Sequence, residues 1–166
     1  MEIRRTEEKD LDAVMAVYAR ARAFMAQTGN PTQWGTDYPY IELIKSDILK
    51  NGYVVTENNS VIGVFVFEEN AHEAVYDNID GAWLNDKPYA VIHRCASDGT
   101  LKGTGQFFLD WCFDRCKNIR IDTHADNVPM KNLLEKNGYK YCGKIKYPGR
   151  GENDNGERVA YQRCGD

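Results

Sequence analysis

The pattern of apolar and polar positions predicts that the chain begins with a strand and two helices. The alternation in EIRRT is typical of a short strand. Apolar residues then recur at helical spacing, at Leu11, Val14, Tyr18, Ala21 and Met25. Thr6 is placed to cap this helix, and TGNP ends it. After the aromatic loop WGTDYPY, a second helix is predicted over IELIKSDILKNG, with Gly52 as its stop.

The middle of the chain is rich in β-branched residues and predicts a hairpin followed by a central strand. YVVTE and VIGVFVFEE surround the polar turn NNS. Residues 70–88 lack periodicity, and we expect them to form an excursion over one face of the sheet. YAVIHRC is mostly apolar, which is typical of a strand in the interior of a sheet.

The last third of the chain alternates helices with strands. QFFLDWCFDRC and DNVPMKNLLEKNG are predicted helices, and the second has Asp126 as its expected cap and Gly138 as its stop. NIRIDTH, YKYCGKIKY and VAYQRC predict strands, and PGRGENDNGER predicts a turn between the last two. The whole pattern predicts one α+β domain over residues 1–166.

Length and charge narrow the function classes. A chain of 166 residues has the size of one domain and can bury a core. The formal net charge of −4 disfavours nucleic-acid binding, which needs a basic face, and suits a cationic small molecule better. No apolar run is long enough to span a bilayer, and the N-terminus MEIRRTEEKD lacks the apolar segment of a signal peptide. We therefore expect a cytoplasmic protein without nucleic-acid or membrane partners.

The five cysteines predict reduced thiols and no metal site. Their number is odd, and their spacings are not those of a disulfide scaffold. Cys112 and Cys116 stand one helical turn apart, but no C-x-x-C or C-x-x-H pair accompanies them. We expect neither disulfides nor bound zinc.

The stretch KGTGQ, residues 102–106, stands where a predicted strand gives way to a helix. Unpaired N–H groups at a helix start attract phosphate, and glycine lets a ligand approach the backbone closely. For so short a motif, a glycine turn that only joins two elements remains the alternative. A Walker loop is excluded because the only GK pair, Gly143–Lys144, lies in a predicted strand. A dinucleotide fold is disfavoured because its glycines follow the first strand.

Two motifs follow one another in the second half of the chain. Residues 100–105 match [QR]-x-x-G-x-[GA] at Gly103 and Gly105 and depart from it at Thr100. Residues 127–139 match N-x-x-A-x-x-L-Y-E-K-x-G-[FY] at its asparagine, its leucine, its EK pair and its final glycine-aromatic pair. With these motifs in this element order, the chain resembles the GNAT superfamily of acetyl-CoA-dependent N-acetyltransferases over nearly its whole length.

The resemblance implies both a fold and a cofactor site. The fold is three-layered, with about four helices around a twisted mixed sheet of six to seven strands that splays between its fourth and fifth strands. Acetyl-CoA would lie in that gap, with its pantetheine along the end of YAVIHRC and its pyrophosphate at the glycine loop. The implied cofactor residues are Cys95, Ala96, Lys102, Gly103, Thr104, Gly105, Gln106 and Asn127.

The general acid stays open. The resemblance implies a tyrosine in the second motif, but Leu134 stands at that position. Tyr139, Tyr141 and Tyr147 are the nearby candidates for protonating the leaving thiolate. Each of them fits the role of a core or sheet-surface aromatic equally well.

His93 is the leading candidate for the general base. Strand alternation predicts that His93 and Cys95 point to one face, near the expected acetyl position, and histidine has a suitable pKa. A hydrogen-bonded structural histidine is equally consistent with the pattern. His124 at the end of NIRIDTH is an alternative, as are Glu68 and Glu69 acting through water. We expect Cys95 to be a small buried residue rather than an acyl-carrying nucleophile.

Aromatic residues concentrate in the loop after the first helix and in the excursion, and they indicate an acceptor pocket. Aromatic walls suit a cationic or apolar amine, and Trp34, Tyr38 and Trp83 are the candidate wall residues. The same residues would also serve to close the hydrophobic layer under long loops.

These observations predict direct acetyl transfer to the primary amine of a small molecule in a ternary complex. Transfer to a protein or peptide, of the ribosomal type, is one alternative. A non-catalytic acyl-CoA-binding module is the other. The resemblance is also compatible with a homodimer formed through the last strands.

Overall fold

The computed structural model describes residues 1–149 and 153–165 of the chain. Within them lie two short 3₁₀ helices, Glu8–Asp10 and Ala74–Asn78. The α-helices are α1 (Leu11–Gln27), α2 (Ile41–Leu49), α3 (Thr104–Arg115) and α4 (Val128–Lys136). The strands are β1 (Glu2–Arg5), β2 (Gly52–Glu57), β3 (Ser60–Glu68), β4 (Asp80–Gly81), β5 (Ala90–Ser97), β6 (Asn118–Thr123), β7 (Lys140–Lys146) and β8 (Glu157–Cys164). Part of the predicted turn PGRGENDNGER, residues 150–152, lies outside the described residues.

The strands form one mixed sheet in the order β1-β2-β3-β5-β6-β8-β7-β4. Neighbouring strands run antiparallel except β5 and β6, which run parallel. The predicted α+β architecture is confirmed, with eight strands where six to seven were expected. The extra strand is β4, in which Asp80 pairs with Lys144 and Gly81 with Gly143. Two residues are too few to carry an alternating pattern, so this strand leaves no signal in the sequence.

The parallel pair of strands separates soon after it begins. β5 and β6 pair at Ala90 with Ile119 and at Val91 with Arg120. Residues 92–97 of β5 therefore present an edge that β6 does not pair. This is the predicted splay, and it falls between the fifth and sixth strands because β4 adds one to the count.

Helices cover both faces of the sheet and give the fold three layers. Successive residues of β2 point to opposite faces: Val54 packs in a cluster with α1 and α2, and Val55 packs in a cluster with α3 and α4. The predicted excursion packs on the sheet through a third cluster, centred on the fully buried Tyr76. Among the described residues, no helix combines the length and apolar character that crossing a membrane requires.

The expected cap of the first helix is wrong. The 3₁₀ turn Glu8–Asp10 separates Thr6 from α1, and the residue before the helix is Asp10. The Asp10 carboxylate accepts a hydrogen bond from the Glu7 amide at 2.8 Å. The Thr6 amide instead donates to the carbonyl of Gly52 at 3.0 Å, which continues the pairing of the first two strands.

The expected cap of the last helix is also displaced, by one residue. Asn127, not Asp126, caps α4, and its Oδ1 accepts from the Met130 amide at 3.2 Å. The Asp126 amide donates to Nδ1 of His124 at 3.0 Å, so this residue belongs to the turn before the helix. The shift matters because it uses the side chain of Asn127 to fix the start of α4.

Candidate active site

A β-bulge lies in β5 where the two parallel strands have separated. Between His93 and Ala96, two residues of β5 stand opposite a single residue of β3. The first of the two, Arg94, has a φ of 46°, in the left-handed region that residues other than glycine rarely adopt. Such a conformation persists only where the surrounding structure holds it.

The two N-terminal helices hold the bulge in place. Arg94 donates two hydrogen bonds to the Asp47 carboxylate of α2, from Nε at 2.8 Å and from an amino nitrogen at 2.7 Å. Tyr18 of α1 donates from its hydroxyl to the Arg94 carbonyl at 2.7 Å. Burial alone would lower the pKa of Arg94, but the hydrogen bonds and charge of Asp47 outweigh it and raise the pKa above its usual value. The charged side chain of Arg94 therefore ties the bulge to α2.

The bulge reverses the alternation of side chains along β5, so His93 and Cys95 do not share a face. Cys95 packs against the α3–α4 cluster, which also contains Ile92. His93 instead contacts Glu73 of the excursion. The prediction of a shared face is therefore wrong, because it assumed regular alternation. Burial raises the pKa of the Cys95 thiol to about 12, so it is protonated at neutral pH and is a poor nucleophile.

An apolar channel runs from the end of β5 between α3 and α4, with α1 along one side. Part of its wall is formed by the side chains of Phe108, Met130 and Leu133. Of the eight predicted cofactor residues, four line it: Cys95, Ala96, Gly105 and Asn127. The other four belong to the loop and first turn of α3 beside it: Lys102, Gly103, Thr104 and Gln106.

The start of α3 has the geometry of an anion site. Gly103 is the N-cap residue, with a φ of 88°, and no atom lies within 4 Å of where its Cβ would be. The side chains that follow point elsewhere: the Thr104 hydroxyl donates to the Leu101 carbonyl at 2.9 Å, and Gln106 donates to Asp110 at 2.8 Å. The first N–H groups of the helix are therefore left for a ligand such as a pyrophosphate.

Gly105 keeps the channel open. A Cβ at this position would lie 2.6 Å from Cδ2 of Leu133 on α4. Both residues line the channel, so a side chain at this position would force the end of Leu133 to move within the channel wall. The glycine is needed for close approach of α3 to α4, with no demand on its backbone angles.

A second, more polar cavity adjoins the channel. Cys95 and Asn127 line both spaces. Trp34 and Tyr38 form part of the wall of the polar cavity and are themselves 6% and 7% exposed. Trp83 is not brought there, because its Nε1 donates to the Tyr76 carbonyl at 3.0 Å within the third cluster.

His93 lines the polar cavity and contacts a carboxylate. Its Nε2 lies 3.3 Å from Oε2 of Glu73, and both side chains are largely buried. The hydrogen bond from His93 lowers the pKa of Glu73, so the carboxylate is ionised at neutral pH. An ionised partner holds the ring proton on Nε2 and leaves Nδ1 as a proton acceptor.

Asp122 of β6 contributes a carboxylate to the same cavity. Its Oδ2 accepts from the Tyr76 hydroxyl at 2.7 Å and from the Tyr147 hydroxyl at 2.9 Å. Burial, and then the charge of Asp122, raise the pKa of Tyr76 well above its usual value, so this phenol stays protonated and donates. The Asp122 carboxylate is therefore held in place by hydrogen-bond donors that carry no charge.

Comparison with known proteins identifies the family. A scan against protein-family models and a search of curated proteins each give no match. Among solved structures, a GNAT-family acetyltransferase from Streptococcus agalactiae is 33% identical with a TM-score of 0.88, over 99% of this chain and 95% of that one. This chain belongs to the GNAT family. A candidate acetyltransferase from Staphylococcus aureus is 26% identical with a TM-score of 0.71, over 99% of each chain.

The GNAT relationship makes the chain an acyltransferase that uses acetyl-CoA. The Salmonella typhimurium protein yncA, solved with its cofactor acetyl-CoA, shares the fold at 17% identity and a TM-score of 0.62, over 99% of this chain and 94% of that one. The apolar channel, the unpaired edge of β5 and the glycine at the start of α3 fit that ligand. Within residues 1–149 and 153–165, no group of three or more His, Cys, Asp or Glu side chains could hold a metal ion.

At the position of the GNAT motif tyrosine, this chain has Leu134, which cannot act as a general acid. Leu134 is fully buried in the α3–α4 cluster. Tyr139 is 3% exposed in the same cluster, and its hydroxyl has no hydrogen-bond partner among the described residues. Tyr141 is exposed, whereas Tyr147 reaches the polar cavity. His124 lines neither the channel nor the polar cavity, and its Nδ1 already accepts a hydrogen bond from the Asp126 amide.

Four residues of the GNAT site were not found by sequence reasoning: Glu73, Asp122, Gln33 and Arg158. Gln33 links the two spaces, because its Oε1 accepts from Nδ2 of Asn127 at 3.1 Å and from Nδ2 of Asn30 at 2.7 Å. The loop after α1 is thereby tied to the cap of α4. Asp122 left little signal in the sequence, because its strand also contains the polar residues Asn118, Arg120 and Thr123.

Proposed function

We propose that this GNAT enzyme transfers the acetyl group of acetyl-CoA to the primary amine of a small molecule, in a ternary complex. The observation that carries the proposal is the meeting of two spaces at the bulge of β5. One is an apolar channel suited to pantetheine, and the other is a polar cavity with a histidine in its wall. Acceptor and donor would meet beside Cys95 and Asn127, which line both.

The bulge provides the backbone groups for the transfer. Bound acetyl-CoA supplies the activated acetyl group. The unpaired edge of residues 92–97 offers N–H groups to pantetheine and to the thioester carbonyl, where negative charge develops. Because Tyr18 of α1 and Asp47 of α2 fix this edge through Arg94, its donors are in place before the substrates arrive.

Side chains handle the protons. His93 takes a proton from the attacking amine at Nδ1, with Glu73 fixing the ring tautomer through Nε2. The new C–N bond forms as the C–S bond breaks, and the thiolate of CoA leaves. Tyr139 is the proposed donor to that thiolate because its buried hydroxyl has no partner among the described residues, although it lines neither space and burial raises its pKa, which makes it a weaker acid.

The ribosomal type of acceptor is less well supported. A ribosomal-protein-alanine N-acetyltransferase from Brucella melitensis shares the fold at 15% identity and a TM-score of 0.68. A protein terminus needs an open groove, whereas here the buried rings of Trp34 and Tyr38 form part of the wall of the polar cavity. The cavity therefore favours a small acceptor.

Thiol release from acetyl-CoA tests the proposal. We expect release above background with at least one small primary amine, and none above background with peptides that present a free N-terminus. Calorimetric titration with acetyl-CoA runs in parallel. Tight binding without release across small amines would rule out the proposed function and leave a binding module.

A further inference from the structure

We infer that the acceptor carries a second cationic nitrogen, which binds Asp122 while the first nitrogen is acetylated beside His93. The inference rests on the proposed function and names its substrate class: small aliphatic diamines and related amino-cations. It is argued from the charges that face the polar cavity, from their partners, and from their positions on the two splayed strands.

In the part of the chain that the structure describes, the two arginines that line the cavity are already neutralised. The acidic and basic side chains that line it there are those of His93, Arg94, Asp122 and Arg158. Arg94 is held by the Asp47 carboxylate through two hydrogen bonds. Arg158 is held by the Asp154 carboxylate in the same way, at 2.9 Å for both, with each side chain 2% exposed. Neither arginine is left to bind a carboxylate or phosphate on the acceptor.

Asp122 has no such counter-charge. Its two hydrogen bonds come from phenols, and both end on Oδ2. In the described part of the chain, no group donates to its Oδ1 and no cationic side chain pairs with it. A carboxylate that lines a cavity and is satisfied only by neutral donors attracts a cation from outside the protein.

Asp122 and His93 face one another across the gap between the strands. The last paired positions are Val91 on β5 and Arg120 on β6. His93 and Asp122 each lie two residues further along, so each points to the same face as the paired residue before it. An acceptor in the cavity would reach His93 with one end and Asp122 with the other.

The two carboxylates in this region have different tasks. The Glu73 carboxylate contacts His93, which moves the proton of the reacting amine. An amine bound directly to Asp122 would stay protonated, because an adjacent negative charge favours the ammonium form. A protonated amine has no lone pair for attack. The nitrogen at Asp122 is therefore a second one that positions the acceptor and is not acetylated.

The cavity walls suit such a cation. The ring of Trp34 forms part of its wall, and aromatic faces attract ammonium groups. Beyond the wall, the ionised Glu73 adds to the negative potential. Anionic acceptors would meet repulsion from two carboxylates, and no unpaired cationic side chain of the described lining residues would offset it.

A set of related acceptors on the wild-type enzyme tests the inference. Butanediamine, butylamine and γ-aminobutyrate share an aminopropyl unit and differ in the group on its far end, which is an aminomethyl group, a methyl group or a carboxylate. We expect kcat/KM from thiol release to be about 10–100-fold higher for butanediamine than for butylamine, the worth of one charge-assisted hydrogen bond. We expect γ-aminobutyrate to be the poorest, and homologous diamines one methylene shorter and longer to locate the best fit.

The substitution Asp122→Asn provides the matched variant, because it keeps shape and removes charge. We expect the preference for butanediamine over butylamine to fall about tenfold or more, with the Kd of acetyl-CoA unchanged. Tyr147→Phe removes one neutral donor and leaves the charge, so the preference should persist.

The outcomes separate the inference from the proposed function. Equal use of butanediamine and butylamine by the wild-type enzyme would overturn the inference and leave the function standing. A preference for γ-aminobutyrate over butanediamine would also overturn the inference and leave the function standing. Absence of release with every amine, while acetyl-CoA still binds, would overturn both. Because the acceptor series needs no substitution, a poorly folding Asp122→Asn protein would not prevent a decision.

Discussion

The apolar channel and the polar cavity meet at one bulge but are built in different ways. The channel combines backbone at the end of β5 and at the start of α3 with apolar side chains of α1, α3 and α4. The cavity uses side chains from α1, the loop after it, β5, β6, α4 and the β7–β8 hairpin. The glycine loop beside the channel is made by local chain geometry, whereas the cavity is made by tertiary packing.

This difference explains why the two sites leave different traces in a sequence. A backbone site needs glycine at particular positions, so Gly103 and Gly105 stand in a recognisable spacing. A side-chain site needs only that distant residues meet. Glu73 and Asp122 are 49 positions apart and no motif joins them. The acceptor side can therefore change while the cofactor side stays the same.

The largest expected effect is on the acceptor side, from His93→Gln. The substitution keeps a polar side chain of similar reach and removes the proton acceptor. We expect kcat to fall roughly 100-fold or more, the usual contribution of a general base. Acetyl-CoA should bind as before, because the ring of His93 lines only the polar cavity. Stopped-flow thiol release and calorimetry measure the two quantities.

Glu73→Gln serves as the graded control for this experiment. It leaves the imidazole but removes the charge that holds the proton on Nε2, so we expect a smaller loss of kcat with an altered pH profile. An unchanged rate in a folded His93→Gln protein would remove the histidine from the mechanism. The acceptor side would then be a binding surface alone.

The next effect is on the cofactor side, from Gly105→Ala. The new methyl group would meet Leu133, and overpacking of this kind costs about 1–3 kcal/mol. We expect the Kd of acetyl-CoA to rise about tenfold, with kcat at saturation little changed. Calorimetric titration and saturation kinetics check the two values.

Gly99→Ala, in the loop that precedes α3, is the matched control. Gly99 has a φ of 78° and open space around it. Its substitution should lower the free energy of unfolding by about 1–2 kcal/mol, the cost of a left-handed backbone, and leave cofactor affinity intact. If the two glycine variants lose affinity equally, steric contact with Leu133 is not what keeps the channel open.

Most of the fold could be predicted from the chain because its elements are long and regular. Seven strands follow the apolar and β-branched runs, and the four α-helices follow helical spacing. The misses were local. Asp80–Gly81 pairs through close backbone contact, in which a Cβ on Gly81 would lie 2.1 Å from the Cys142 carbonyl oxygen, so it has no side-chain pattern. Thr6 was displaced as a cap because the 3₁₀ turn after it supplies its own.

The candidate site was less predictable, for one identifiable reason. The alternation rule placed His93 and Cys95 together, but the bulge at Arg94 breaks the rule at that point. The left-handed φ of Arg94 depends on Asp47 and Tyr18, which come from two helices far away in the chain. A pattern read along one strand cannot contain that information.

The smallest expected effect is a pH dependence that belongs to the acceptor side. Hydrogen bonding to His93, against the effect of burial, lowers the pKa of Glu73 in the folded protein below its ordinary value of 4.5. A carboxylate whose folded pKa is lowered stabilises the fold above its unfolded pKa, and this contribution is lost as pH falls through the folded value. Stability due to Glu73 should thus be complete above about pH 5.5 and disappear toward lower pH.

Urea unfolding at a series of pH values measures this contribution. We expect wild type to exceed Glu73→Gln by at most about 1 kcal/mol at neutral pH, the usual size for a partly exposed pair, and the gap to close below the ordinary glutamate pKa. For Glu69→Gln, at an exposed neighbouring position, the difference in the free energy of unfolding from wild type should not close at low pH. A constant difference between wild type and Glu73→Gln at all pH values would mean that Glu73 contributes packing rather than charge. His93 would then lack the ionised partner that fixes its tautomer, and the acceptor side would need another base.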